Sequence, residues 1–142
     1  MQIQPYLFFE GRCEEAAEFY KSALGAEVTM LMRFKDAPPA PEGSSGPGCG
    51  PDAPNAEKVM HMALNIGGAT ILASDGHAAG NPEFKGFGLS LTASSVDEAT
   101  RMYEALSAGG HAMMPMGPTF FAKAFGMVAD KFGVMWMVMA EM

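Results

Sequence analysis

The sequence contains little cysteine, few basic residues and no long apolar run. Its two cysteines, Cys13 and Cys49, form no Cys-x-x-Cys pair, which excludes a zinc knuckle and a dithiol redox motif. Nine Lys and Arg stand against sixteen Asp and Glu, for a net charge of −7, and the missing basic stripe excludes a nucleic-acid-binding protein. No run reaches the roughly 18 apolar residues of a membrane span. With so little cysteine and no basic amino-terminal region, we expect a cytoplasmic protein.

Apolar side chains make up 49% of the 142 residues, which is enough to offset the ordering entropy of folding and predicts a packed domain. One stretch, residues 37–56, holds most of the prolines and has no hydrophobic period. This composition predicts a long flexible loop. The alternative is a lid over a site.

The order strand, helix, strand, strand, strand occurs twice along the chain. The hydrophobic pattern of the first half predicts strands at 3–9, 28–34, 59–66 and 69–74, with a helix at 14–24. The second half predicts strands at 87–93, 111–116, 120–129 and 134–140. A capping box beginning at Ser95 opens the second helix, and Gly67-Gly68 is typical of a two-residue hairpin turn.

The two halves also match in sequence. Glu14-Glu15-Ala16 and Phe19-Tyr20 align with Asp97-Glu98-Ala99 and Met102-Tyr103 at a constant offset of 83 residues. This repeat predicts an α+β fold of two tandem βαβββ units, residues 1–80 and 81–142, which together form one compact domain.

The order and spacing of several short segments resemble the vicinal oxygen chelate superfamily, which includes glyoxalase I, bleomycin-resistance proteins and extradiol dioxygenases. The closer likeness is to its PhnB-like branch. The matching segments are Pro5 to Gly11, Met60-His61-Met62-Ala63-Leu64, Ile66-Gly67-Gly68, Ser74-Asp75, Met114-Pro115-Met116, Thr119-Phe120-Phe121, Phe125-Gly126 and Asp130-Lys131-Phe132-Gly133 with Trp136. The resemblance implies a curved, mostly antiparallel sheet in each unit, a helix on its convex face, and a homodimer.

The resemblance also implies where a divalent metal would be held, by His, Glu or Gln on the first and last strands of each unit. Counting from the helix motifs and the hairpin glycines places these positions at Pro5, Leu72, Gly88 and Met137. None carries a donor suited to a hard, oxygen-chelating metal. We therefore expect no metal and no cofactor, and the chain is not expected to be a metal-dependent enzyme.

A cavity without metal ligands would be apolar with a few polar groups, as small-molecule sites usually are. Across the Gly67-Gly68 turn, strand alternation pairs Ala63 with Leu72, His61 with Ser74 and Asn65 with Thr70. The candidate ligand-binding residues are therefore His61, Ala63, Asn65, Leu72, Ser74, Gly88, Ser90, Met135 and Met137.

Fourteen methionines occupy the chain, several at alternate strand positions such as Met135, Met137 and Met139. They predict either core filling or a compliant pocket for apolar ligands. Trp136 alternates with Met137 and is expected in the core.

His61 is the only candidate catalytic residue, because an imidazole can donate, accept or transfer a proton near neutral pH. The alternative is a half-buried histidine satisfied by Ser74 or by a backbone carbonyl. His77 and His111 are expected to be exposed and without a role. Asp75 is expected to cap the turn into Gly76 rather than to act as a base.

Near the last hairpin, Asp130 is expected to open a turn. Lys123 is the only cation beside that hairpin, and it is either a solvated lysine or a contact for a ligand anion.

Three functions fit these observations. The first is a protein that binds a small, partly apolar molecule without a metal, as the resemblance to bleomycin-resistance proteins implies. The second is a metal-dependent lyase, isomerase or dioxygenase of the glyoxalase type, which needs ligands at positions other than those counted. The third is a dimeric structural or regulatory module without a small-molecule site.

Overall fold

The computed structural model describes residues 1–36, 56–76 and 82–142. The predicted loop at 37–56, except Ala56, lies outside the described residues, as does His77. The chain divides into two units, Met1–Pro82 and Glu83–Met142. Within the described residues, no helix is long and apolar enough to cross a membrane.

The first unit contains one helix and a sheet of four strands. Its elements are β1 (Tyr6–Phe8), α1 (Cys13–Leu24), β2 (Glu27–Arg33), β3 (Val59–Ile66) and β4 (Ala69–Ser74), with a short 3-10 turn at Phe34–Asp36. The strands lie in the order β1-β4-β3-β2. β1 runs parallel to β4, and the other neighbours are antiparallel.

The second unit repeats this arrangement. Its elements are β5 (Leu89–Ala93), α2 (Val96–Ser107), β6 (His111–Gly117), β7 (Ala122–Ala129) and β8 (Met135–Glu141). The order is β5-β8-β7-β6, again with only the first pair parallel. The predicted α+β fold of two tandem βαβββ units is confirmed, and each sheet is mixed and mostly antiparallel.

Local residues set an end of each helix. Gly25 ends α1 in the left-handed conformation, with φ of 69°. At the start of α2, the Ser95 hydroxyl accepts a hydrogen bond from the Glu98 amide at 3.1 Å. The 83-residue repeat also appears in packing, since Ala16 and Ala99 are both fully buried.

Each sheet buries one face under its own helix. In the first unit, this helix-side face includes Met62, Leu64 and Ile71, all buried as the alternation predicts. In the second unit it includes Trp136 and Val138, so Trp136 is in the core as expected. We call the opposite surfaces the first open face and the second open face, because their residues remain at least partly exposed.

Candidate functional site

The register of the first sheet brings part of the predicted site together. Ala63 lies opposite Leu72, and Asn65 lies opposite Thr70, as the two-residue turn predicts. His61 is two residues from Ala63 and shares its face. The candidates of the first unit are thus on one sheet, whereas Gly88, Ser90, Met135 and Met137 belong to the second unit.

The strand register shows which residues lie opposite the counted last-strand positions. Tyr6, not Pro5, lies opposite Leu72, and Pro5 contributes only its carbonyl, which accepts from the Leu72 amide at 2.9 Å. In the second unit, Ser90 rather than Gly88 lies opposite Met137. The β1–α1 connection, residues 9–12, is also longer than the β5–α2 connection, residues 94–95.

Tyr6 and His61 form a hydrogen-bonded pair on the first open face. Tyr6 Oη and His61 Nδ1 are 3.1 Å apart, and their ring centroids are 5.6 Å apart. The Phe8 ring lies beside Tyr6, at a centroid distance of 4.8 Å. Tyr6 is 37% exposed and Phe8 is 52% exposed, so a small molecule can reach both rings.

Sequence reasoning missed Tyr6 and Phe8 as site residues. The signal for them is the alternation of Tyr6 and Phe8 with the buried Leu7 and Phe9. That alternation identifies a two-faced strand, but the run of apolar and aromatic residues from Ile3 to Phe9 resembles a fully buried one.

The partner of His61 differs from the one considered in the sequence. Ser74 is only 4% exposed, and its hydroxyl accepts from the Gly76 amide at 3.1 Å, which closes the turn that follows β4. His61 forms its hydrogen bond with Tyr6, which lies on the same face, and not with Ser74. His111 is exposed at the start of β6, as expected.

Asp75 has a different structural role from the predicted one. It is 3% exposed, and its carboxylate accepts from the amide of Cys13 at 2.8 Å and from that of Val59 at 2.7 Å. The acid thus caps the first turn of α1 and fixes the start of β3, while Ser74 closes the turn into Gly76. Local sequence could not show this, since Cys13 is 62 residues away.

Asp130 opens the turn before β8, as predicted. Its carboxylate accepts from the amides of Phe132 and Val134 at 2.9 and 3.1 Å and from the indole nitrogen of Trp136 at 2.9 Å. These contacts hold the last hairpin against the core. Lys123 is exposed on β7, so the solvated lysine and the contact for a ligand anion both stay open.

Methionines dominate the second open face. Met114, Met127 and Met137 lie side by side across β6, β7 and β8, and Ser90 continues the row on β5. Met135 and Met139 flank Met137 on the same strand and face. The predicted alternation of methionines in β8 thus places them opposite the helix-side core.

Two groups on α1 are shifted by their surroundings. Complete burial raises the pKa of the Cys13 thiol, and the nearby Asp75 carboxylate raises it further. The Arg33 guanidinium donates to the Glu14 carboxylate and lowers its pKa. Arg33 also donates to the Glu57 carbonyl at 2.7 Å.

Within residues 1–36, 56–76 and 82–142, no three His, Cys, Asp or Glu side chains come together in a way that could hold a metal ion. The counted positions Leu72 and Met137 and the residues opposite them, Tyr6 and Ser90, include only two oxygen donors, a phenol and a hydroxyl. These side chains do not fit the usual His, Glu or Gln set. The absence of a bound metal stays a prediction.

Two tandem βαβββ units, each with a sheet face left open opposite its helix, define the glyoxalase class of fold. The family model described as the Glyoxalase/Bleomycin resistance protein/Dioxygenase superfamily matches residues 2–138, and the chain belongs to this superfamily. The family predicted from the short sequence segments is therefore confirmed.

Individual relatives support the PhnB-like branch. Protein YjdN of Escherichia coli (strain K12) is 36% identical over 140 residues, which cover 97% of this chain and 94% of YjdN. Protein PA1353 of Pseudomonas aeruginosa is 39% identical, with a TM-score of 0.80 over 99% of this chain and 98% of its own. The PhnB protein of Bacillus cereus, whose name carries a 3-demethylubiquinone-9 3-methyltransferase label, is 27% identical, with a TM-score of 0.76 over 99% of each chain.

Proposed function

We propose that this chain binds a small, partly apolar molecule on the first open face, at Tyr6, Phe8 and His61. The observation that carries the proposal is the Tyr6–His61 hydrogen bond beside an exposed phenylalanine ring. Polar groups set in an apolar, accessible surface are the usual composition of a ligand site.

The Tyr6–His61 pair offers a ligand one donor and one acceptor. When Nδ1 is unprotonated, the phenol donates to it, and the Nε2–H and the phenol lone pair remain for a ligand. When Nδ1 carries the proton, it donates to the phenol oxygen. Nε2 is then the acceptor for a ligand, and the phenol O–H is the donor. In both tautomers a ligand that has both a donor and an acceptor is matched.

The apolar neighbours favour a ring as the body of the ligand. Phe8 and Tyr6 present adjacent aromatic surfaces, and Met30 is 42% exposed opposite Ala63 on the same face. Aromatic surfaces favour stacked or edge-on rings, and a flexible thioether adapts to varied shapes. The proposed ligand class is a planar aromatic compound with a hydroxyl, amide or carboxyl group.

A thermal-shift panel of phenols, aromatic amides and aromatic carboxylates tests the proposal, with hits measured by calorimetry. Leu72→Glu places a charge in the centre of the face and should abolish binding. Tyr6→Phe keeps the ring but loses the hydroxyl, and should weaken binding by about 1 kcal/mol. Ala69→Glu, exposed at the start of β4, is the matched control and should bind normally. Equal binding by Leu72→Glu and Ala69→Glu would contradict the proposal.

A second candidate is an enzyme that transfers a proton, because the Tyr6–His61 pair contains a group able to act as acid or base. In that case His61→Gln should eliminate turnover of a bound compound while leaving its affinity within a few fold. Binding without any turnover by the unaltered chain would leave the binding protein as the function.

We also propose that the chain acts as a homodimer. Large apolar side chains outside the proposed ligand site are exposed in both units, including Ile3 at 88%, Phe87 at 42%, Met113 at 52% and Phe120 at 95%, and exposed apolar surface of this kind often marks a contact with another molecule. We propose that a second copy of the chain covers these exposed side chains. Light scattering after gel filtration should give twice the chain mass, and a concentration-independent monomer would contradict this.

A further inference from the structure

The second open face carries thioethers on three neighbouring strands. Met127 lies directly opposite Met137 in a regular ladder, where the Cβ atoms of opposed residues on one face are about 5 Å apart. Met114 lies opposite Met127 at a point where the register of β6 shifts on both sides. Three flexible side chains on neighbouring strands can direct their sulfur atoms toward one point above the central strand β7.

Two further methionines surround this row. Met135 and Met139 precede and follow Met137 on its own face, and all three are half-buried. The Met135 methyl group lies over Gly88, where a Cβ would come within 2.9 Å of it. The absence of a side chain at Gly88 thus leaves room for the Met135 thioether. Met135 and Met139 provide additional sulfur atoms on either side of Met137.

The helix-side core does not need these methionines. Val128, Trp136 and Val138, which alternate with them, are buried beneath α2, whereas Met114 is 44% exposed. Core filling therefore does not account for a row of thioethers on the opposite face.

Thioether sulfur is a soft ligand that selects soft, monovalent ions such as Cu(I) over hard divalent ions. The chain has a net charge of −7, and such a field attracts cations toward the surface. The ligand chemistry and the overall charge thus favour the same class of ion.

We propose that Met114, Met127 and Met137 form a binding site for a soft monovalent cation, Cu(I) or its redox-inert analogue Ag(I). The proposed site consists of residues of the second unit and involves no change in oxidation state. Ions of this class bind through three sulfur atoms, and Met135 or Met139 can supply a further one.

Competition with a coloured Cu(I) chelator under anaerobic, reducing conditions tests the site. All chains carry Cys49→Ser, which removes a competing thiol, and retain the fully buried Cys13. The parent chain should withdraw about one equivalent of Cu(I). Met127→Leu/Met137→Leu, which conserves volume and removes two sulfur atoms, should bind at least tenfold more weakly.

The matched control is Met102→Leu/Met116→Leu, in the same unit. Met102 lies in α2, and the Met116 sulfur packs on the helix side near Gly126 and Tyr103. This control should bind Cu(I) within twofold of the parent. Met114→Leu, at a position that is 44% exposed, should lose affinity by about three- to tenfold.

Three outcomes would overturn the proposal. In the first, the parent chain withdraws no Cu(I). In the second, Met127→Leu/Met137→Leu and Met114→Leu bind Cu(I) as tightly as the parent. In the third, the control Met102→Leu/Met116→Leu loses as much Cu(I) affinity as Met127→Leu/Met137→Leu. Circular dichroism of each variant establishes that it is folded. If Met127→Leu/Met137→Leu is unfolded, Met114→Leu decides between the outcomes.

Discussion

Asp75 shows how a single buried acid can organise a unit of the fold. Its two carboxylate oxygens accept from the amides of Cys13 and Val59, so one side chain joins the start of α1 to the start of β3. A carboxylate at a helix amino terminus also interacts favourably with the helix dipole. These contacts account for the burial of the acid.

Asp75→Ala should lower the free energy of unfolding by about 2 to 4 kcal/mol, because it leaves two buried amides without acceptors. Asp75→Asn keeps one acceptor oxygen and should lose less. The matched control is Asp36→Ala, which removes an exposed carboxylate that accepts from the Arg33 amide at 3.0 Å and should cost below about 1 kcal/mol. Urea unfolding followed by circular dichroism measures the free energy of unfolding of all three variants. Equal losses for Asp75→Ala and Asp36→Ala would contradict the proposed role of Asp75.

Cys13 should make folding stability fall at alkaline pH. Burial raises its folded-state pKa above the unfolded value of about 8.5. The unfolded chain therefore loses the proton first, and the free energy of unfolding decreases as pH rises above that value.

The comparison is between Cys49→Ser and Cys13→Ala/Cys49→Ser, unfolded in urea from pH 7 to 10. The chain with Cys13 should lose stability more steeply with pH, by up to about 1.4 kcal/mol per pH unit. Identical slopes would mean that the thiol ionises equally in both states.

At the scale of elements, α2 and the edge strand β6 are joined through Tyr103. Its hydroxyl donates to the Met114 carbonyl at 2.9 Å, and its ring lies against β7 at Gly126. A Cβ on Gly126 would be 2.9 Å from the tyrosine ring and 2.6 Å from the Met116 sulfur. The absence of a side chain at Gly126 therefore allows the helix to approach the sheet.

Gly126→Ala should destabilise the protein by about 1 to 3 kcal/mol through overpacking. Gly117→Ala is the matched control, since nothing lies within 4 Å of its added Cβ, and it should be nearly neutral. Adding Met116→Ala to Gly126→Ala should recover part of the loss. The melting temperatures of the three variants, measured by thermal unfolding, give the comparison. An unchanged melting temperature for Gly126→Ala would contradict the close packing of Tyr103 and Met116 on Gly126.

Elements with local signals were predictable from sequence, whereas contacts between distant segments were not. The hairpin register followed from Gly67-Gly68, whose φ angles of 59° and 90° suit the tight turn. The parallel pairing of β1 with β4 joins segments more than 60 residues apart, and no local pattern sets its register. That is why Tyr6 was missed, and the same distance hid the bond from Asp75 to Cys13.

For the whole molecule, the two units share a fold but present different chemistry. The first open face carries two aromatic rings and a histidine, and the second carries a row of methionines. The helix-side faces are alike, since each helix buries at least one alanine and a tyrosine against apolar strands. The repeat thus preserves the core and varies the open faces, where we propose that function lies.

The measurement that tests the central claim most directly is the ¹⁵N chemical shift of the His61 ring nitrogens, with and without an aromatic compound from the binding panel. A ligand that engages the Tyr6–His61 pair should shift the His61 resonances, and Tyr6→Phe should change them in the free protein. The His111 ring, exposed in the second unit, provides the internal reference, and its ¹⁵N chemical shifts should stay unchanged. Saturating binding that leaves both His61 nitrogens unchanged would contradict the proposed site.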